Sequence, residues 1–418
     1  MPTPTVMGYT RAMTDAVVPR ADDFDEIAAL LALAFHSDLN PELQTVERPI
    51  FEPERSLLVR DAGTAVAHAA AFSRDLTVPG ATVPAAHVTM VAVAPTHRRR
   101  GLLSGLMRRQ LREVRDARHE PVAVLWASEG RIYPRFGYGS AAQRLILSAD
   151  TTGLRLPAPT AAEGTLRLDR PAAHRDELAR LYERARADRP GWSRRDERWW
   201  AYVLADVTSR RQGATERRVL RHDGPEGIDG YALYRTKEEW VGEVPRGEVR
   251  VDEVVAVTPE AYLALWRLLL SVDLTRRLSF PIAAVDEPLL RLVDEPRQLA
   301  PQLVDGLWVR VVDVPAALAA RRYATDIDVV IEVTDELLPE NTGRWRLVGG
   351  PGGAECAATT APAGLACDVR ALGELYLGGT TPAALAGTGR VRELVPHTLR
   401  TVSPAFTWHR APTPMENF

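Results

Sequence analysis

The chain has 418 residues, 45% of them hydrophobic and 26% charged, which excludes a disordered or fibrous protein and leaves room for two to four domains. Its net charge of −3 provides no basic field for nucleic acid or an anionic membrane. Two cysteines, Cys356 and Cys367, are too few for a disulfide framework and lack zinc-ligand spacing, so reduced, buried thiols and no metal are expected. The stretch from Met1 to Arg20 has no signal-peptide pattern and no apolar run reaches the roughly 20 residues of a membrane span, so a cytoplasmic location is expected. Nearly all positive charge is arginine, with Lys237 the sole lysine.

In chain order, acidic Asp22, Asp23 and Asp25 precede an apolar face from Ile27 to Phe35, which predicts a helix. Ser56–Arg60, Ala65–Ser73 and Val88–Val93 read as strands, separated by turns at Asp61–Gly63 and Val78–Gly80. A helix is predicted over Gly101–Arg118 and a buried strand over Val122–Trp126, giving an α/β order. Leu156–Gly164 has linker composition. Beyond it lie a helix at Asp176–Arg186, strands at Tyr231–Tyr234 and Val249–Val257, and a helix at Pro259–Leu270. Val255-Ala256-Val257-Thr258-Pro259 echoes Val91-Ala92-Val93-Ala94-Pro95, as a repeated α/β unit would. After Pro296 a third unit is expected, with strands at Leu307–Val312 and Asp328–Val333, helices at Val314–Arg321, Val369–Leu375 and Pro382–Leu385, and a turn at Gly349–Gly353.

The chemistry concentrates at Val91–Leu103. There a strand enters a turn, Arg98-Arg99-Arg100-Gly101, and then a helix. The first N–H groups of a helix lack internal partners and sit at its positive end, so this junction suits a pyrophosphate. Gly101 allows close backbone approach, and the arginines add charge. If Val91–Val93 splays from its neighbour, its free backbone groups can pair with an amide-bearing arm. Coenzyme A presents that arm and a pyrophosphate in this order. No Gly-Lys-Ser/Thr loop or Gly-x-Gly-x-x-Gly fingerprint offers a nucleotide alternative.

The stretch resembles the acetyl-CoA motif of GNAT acetyltransferases, Arg/Gln-x-x-Gly-x-Gly/Ala, except that Leu103 replaces the final small residue. Tyr133-x-x-x-Gly137-Tyr138 resembles the element that follows the next GNAT strand, and Tyr138 itself reads as a core residue. These motifs, a second GNAT-like unit and Tyr376-Leu377-Gly378-Gly379 resemble the enhanced intracellular survival (Eis) acetyltransferases along essentially the whole chain. The resemblance implies an α/β (α+β) fold with tandem GNAT-like domains, residues 1–155 and 156–300, and a sterol-carrier-like domain over residues 301–418. It implies that Val91, Ala92 and Val93 contact the pantetheine arm, that Arg99, Arg100, Gly101, Leu102, Leu103 and Ser104 hold the pyrophosphate, and that Ser128 and Glu129 line the cofactor side. Tyr133 would be the general acid and the terminal carboxylate of Phe418 the general base. The middle unit would bind no cofactor, because Pro259-Glu260-Ala261 stands where the arginine–glycine turn would be.

The resemblance further implies acetyl transfer from acetyl-CoA to a primary amine, of an aminoglycoside or another polyamine, by a homohexamer. Asp38, Glu42, Glu47, Glu52, Glu54 and Glu416 are acidic candidates for a cation pocket, each also readable as a solvated surface charge. A catalytically idle acyl-CoA- or lipid-binding protein and a protein-lysine acetyltransferase are the alternatives.

Overall fold

The computed structural model describes residues 16–158 and 164–418. Most of Met1–Arg20 and part of the expected linker at Leu156–Gly164 lie outside these residues. Among the described residues no helix is long and apolar enough to cross a membrane.

Helix α1 (Phe24–Phe35) follows an acidic 3-10 turn, and α2 (Pro41–Glu47) opens on Asn40, whose side chain accepts the Leu43 N–H at 2.9 Å. Strands β1 (Ser56–Asp61), β2 (Thr64–Val78) and β3 (Ala81–Val93) form an antiparallel meander. Helix α3 (Leu102–Ala117) leads to β4 (Val122–Trp126), which runs parallel to β3, and then to the short β5 (Gly139–Ser140).

The chain next leaves this sheet. Strand β6 (Gln143–Asp150) belongs to a second sheet with β7 (Thr165–Asp169), β8 (Arg218–Gly224), β9 (Gly227–Lys237), β10 (Gly247–Ala256), β11 (Thr275–Ala283) and β12 (Gln302–Asp305). Helices α4 (Arg175–Arg186), α5 (Glu197–Leu204) and α6 (Pro259–Leu270) accompany it. Strand β13 (Leu307–Val311) then returns to the first sheet, pairing antiparallel with β4 from Leu307↔Trp126 to Val311↔Val122. The first sheet is ordered β1-β2-β3-β4-β13-β5 and the second β12-β6-β11-β10-β9-β8-β7. Two strands therefore lie across the divisions expected from the sequence. Residues 143–150 complete the second sheet, and Leu307–Val311, expected in the third unit, is an interior strand of the first.

The remaining chain adds α7 (Val314–Ala320), β14 (Ile327–Thr334), β15 (Gly343–Gly350), β16 (Gly353–Ala358), β17 (Leu365–Asp368), α8 (Val369–Leu375), α9 (Pro382–Ala386), β18 (Val391–Glu393) and α10 (Thr398–Phe406). Its sheet is ordered β16-β15-β14-β17-β18. This unit shares its core with the first sheet: Leu76, Val122, Val124 and Val309 pack in one cluster with Val314, Tyr323, Ile331, Leu372 and Phe406. A second cluster holds α6 to the second sheet through Leu265, Trp266, Leu269 and Phe280. Buried Arg310 on β13 is held by both oxygens of Asp335, at 2.8 Å each. Cys356 and Cys367 are free but half-buried rather than fully enclosed, and burial pushes both thiols up to about 12.

Helix α8 seats on β13 at Gly373, where an added Cβ would stand 2.3 Å from the Val309 carbonyl oxygen. Gly373→Ala should therefore push α8 off the sheet and destabilise the protein by about 1–3 kcal/mol, measured as a lower midpoint in urea or thermal unfolding.

Candidate active site

A β-bulge shapes the site. Val93 and Ala92 face Ala67 and His68, but Thr89 faces Ala70, so Met90 and Val91 together oppose Ala69. Met90 takes a left-handed φ of 50°, and buried His68 donates its Nδ1–H to the Met90 carbonyl at 2.8 Å. On the other side, β3 pairs with β4 only from Ala85↔Val122 to His87↔Val124. Beyond that point the strands diverge and the β4-facing edge of Val88–Val93 has no strand partner. Val91 and Val93 are half-buried, whereas Ala92 is in the core against α1 and α3.

The divergence opens a cleft of about 510 Å³, lined by Val88–Val91 on one side, by Trp126, Ala127 and Ser128 on the other, and by Tyr133 and Phe418. Phe24, Phe35, Trp199 and Tyr202 extend its aromatic wall, and Asp38 and Glu47 also line it. Glu129 is exposed and outside that lining.

At the outer end, Gly101 adopts a left-handed φ of 81° as the N-cap of α3, and no side chain caps the helix. The Leu102, Leu103 and Ser104 N–H groups belong to its first turn, which has no intrahelical acceptors. Arg98, Arg99 and Arg100 are exposed around it. Arg98 bonds the Ala34 carbonyl at 3.2 Å, and His97 bonds Asp61 at 2.9 Å, so the turn is tied to α1 and β1, while Arg99 and Arg100 are exposed. An uncapped helix start among exposed guanidinium groups, continuous with an unpaired strand edge, fits a diphosphate joined to an amide-bearing arm.

The second unit keeps the cleft but not this seat. Strands β10 and β11 pair only from Gly247 to Arg250 and then part around a cavity of about 860 Å³. There, Thr258 caps α6 by accepting the Ala261 N–H at 3.2 Å and donates to Asp229 at 2.9 Å. Pro259 removes one N–H and Glu260 puts negative charge in the first turn, so an anion has no seat at this helix.

Tyr133 lies in the 3-10 turn Tyr133–Phe136, with its ring 5.9 Å from that of fully buried Tyr138. Its hydroxyl makes no hydrogen bond among the described residues. Burial, and then the nearby Glu129 carboxylate, push its pKa up, so it carries its proton at neutral pH. Tyr138 belongs to the core cluster behind it.

The C-terminal segment reaches the cleft by crossing all three units. Ala411 bonds Arg189 and Asp286, each at 3.0 Å, and the Thr413 N–H bonds the Pro190 carbonyl at 3.0 Å. Met415 enters the second unit's core. Glu416 is clasped by Arg74 at 2.5 Å and by Arg195. Burial raises its pKa, but the two guanidiniums outweigh this and pull it down to about 2. The Phe418 ring meets His87 edge-on at 4.7 Å, and the Phe418 carboxylate forms no ion pair among the described residues.

Several acidic candidates take other places. Glu52 is buried and bonded to Ser73, Glu42 accepts the Thr208 N–H, and Glu416 is neutralised by arginines. Glu54 is exposed, and Glu47 lines the cleft with Arg210 3.4 Å away. Sequence reasoning missed Arg74, Arg195 and His87, because an isolated arginine or histidine carries no signal of the buried partner it will meet.

Residues 18–141 match a family described as acetyltransferase (GNAT) domain, residues 191–311 match a second family of the same description, and residues 314–414 match a sterol carrier protein domain. A Streptomyces avermitilis protein named as an uncharacterized N-acetyltransferase is 41% identical over 402 residues, spanning 96% of this chain and 98% of the relative. The N-acetyltransferase Eis of Mycobacterium tuberculosis is 38% identical over 401 residues, covering 93% and 95%. The crystal structure of Eis1 from Mycobacterium abscessus superposes with a TM-score of 0.83 at 34% identity, covering 97% of this chain and 100% of that one.

Two histidines make the site acid-sensitive. Burial pushes His68 down to about 4, and burial with the nearby Arg74 pushes His87 down to about 3, so both are neutral when folded. The unfolded chain binds these protons near pH 6.5. Stability from both groups is thus full above that pH and is lost as pH falls toward 4 and 3, with a slope of up to about 1.4 kcal/mol per pH unit for each. Urea unfolding between pH 7 and 4 should show this decline, and His87→Gln should flatten it.

Proposed function

Because the chain belongs to the Eis-type GNAT N-acetyltransferases, we propose that it transfers the acetyl group of acetyl-CoA to a primary amine in the cleft between β3 and β4. The observation that carries this reading is the continuity of the unpaired Val88–Val93 edge with the uncapped start of α3. Val91 and Val93 would offer backbone groups to the pantetheine arm, with Ala92 anchoring the strand in the core. The N–H groups of Gly101, Leu102, Leu103 and Ser104, with Arg99 and Arg100, would hold the pyrophosphate. Ser128 would line the opposite wall, and exposed Glu129 would act at the rim through its field on Tyr133.

In this reading the amine attacks the thioester carbonyl, which a backbone N–H of β3 polarises. Tyr133 holds a proton and lies in the same cleft, which suits it to protonate the departing sulfur. The Phe418 carboxylate, which forms no ion pair among the described residues, would take the proton of the attacking ammonium. The acceptor is an aminoglycoside-type or other polyamine: the carboxylate of Asp38, which lines the cleft, suits an ammonium. The protein would act as a homohexamer, as family membership suggests.

Release of free thiol from acetyl-CoA over a panel of amines tests the reading; binding of acetyl-CoA without turnover on any amine would replace it with the idle-module alternative. Tyr133→Phe should lower kcat by about 100-fold or more while the acetyl-CoA affinity from calorimetry is unchanged. One glycine appended after Phe418 should move the carboxylate and lower kcat by a similar factor, and an extended enzyme of full rate would eliminate the terminal base.

A further inference from the structure

We propose that the Arg74–Glu416–Arg195 cluster is the device that positions the Phe418 carboxylate, and that supplying half of it is the catalytic task of the second unit. The inference rests on the terminal-base reading above. Glu416 is two residues from the chain end, so fixing its side chain confines the terminal carboxylate to within about 7 Å along the backbone.

Both oxygens of Glu416 are engaged, and from different units. Oε1 meets Arg74 Nη2 at 2.5 Å, on β2 of the first sheet. Oε2 meets Arg195 Nε at 2.8 Å and also its Nη2. Neither guanidinium is free to follow the tail. Arg74 donates to the Arg194 carbonyl at 3.1 and 2.9 Å and lies 3.8 Å above the Trp199 ring. Arg195 forms a two-pronged pair with buried Glu253, at 3.1 and 2.7 Å, and stacks against Tyr182 at 4.1 Å.

The backbone of the second unit is itself fastened beside Arg74. Gly191 and Arg194 donate to the carbonyls of Thr77 and Asp75, and Thr77 donates to the Trp192 carbonyl, each at 2.8 Å, so this stretch is bridged antiparallel to the end of β2 at Leu76↔Ser193. Ser193, within it, donates its hydroxyl to His87 at 2.7 Å, and His87 carries the Phe418 ring. Residues 193–195 thus reach both supports of the tail: Ser193 bonds the imidazole under the Phe418 ring, and Arg195 bonds the Glu416 carboxylate.

A buried ion cluster contributes little net stability relative to an apolar replacement of the same shape, but it fixes one geometry. Here that geometry is the location of a base, and displacement of a reacting group by about 1 Å reduces rate roughly a hundredfold. A unit with no seat for the anion is then still required for chemistry, as the wall from which the tail is aimed.

The test is a cycle between Glu416→Asp, which keeps the charge and shortens the reach by one methylene, and the glycine extension after Phe418. Glu416→Asp should lower kcat at least about tenfold, with KM for acetyl-CoA changed less than about twofold. Combined with the extension, which already displaces the carboxylate, it should produce no further loss. Arg195→Lys, which also keeps the charge, should behave the same way and serves if the first variant does not fold. Equal losses in the two backgrounds, or a loss confined to KM or thermal midpoint, would overturn the positioning role while leaving the terminal base intact. An extension without effect would remove the base itself, and the clamp's role with it.

Discussion

The site depends on one constraint: β3 can stay bonded to β4 for only three residue pairs. The bulge at Met90 adds a residue to β3, locally changes its direction and is locked by the His68–Met90 hydrogen bond. On the far side β4 is bonded along its whole length to β13 and cannot follow. The strands must part, and what they leave is an edge with backbone groups to spare. The same departure recurs between β10 and β11, so the opening is a property of the repeated unit. What differs is the helix that follows: bare after Gly101, closed by Thr258 in the repeat.

The three units are not beads on a string. The first sheet takes an interior strand from beyond the second unit, and the second takes β6 from before its own start. The last unit closes its core on the first sheet. The C-terminal segment then crosses the assembly through a backbone hydrogen bond at Thr413 and ion pairs at Glu416. Such interlocking keeps a site with parts from distant segments in register. It also accounts for buried charge: Arg310 with Asp335 and Arg195 with Glu253 are each paired across separate elements.

Local structure was largely legible in the sequence. Val122–Trp126, Pro259–Leu270 and Val369–Leu375 have the bounds their apolar patterns predict. The turn at Gly101 could be read because a glycine flanked by arginines between a strand and an amphipathic helix has few physical explanations. Destinations were not legible. Leu307–Val312 was readable as a strand, but an apolar run of this length specifies burial on both faces and not the neighbour that buries it. Gln143–Asp150 is not among the strands predicted from the sequence, and nothing in it names the second sheet. Glu416 and Glu52 looked like surface charges because their partners, Arg74, Arg195 and Ser73, come from other strands and units.

The exchange of β6 and β13 has a consequence for biogenesis. A ribosome emits β4 long before Leu307, so β4 must wait with its β13-facing edge unpaired while residues 127–306 are made. That edge is apolar and an open template for another strand. Completion of the first sheet is a late, non-local event, the kind that slows folding and exposes nascent chains to mispairing. The first unit therefore cannot mature ahead of the rest of the chain, and a fragment ending near residue 141 would carry the Arg98–Gly101 turn on an incomplete sheet.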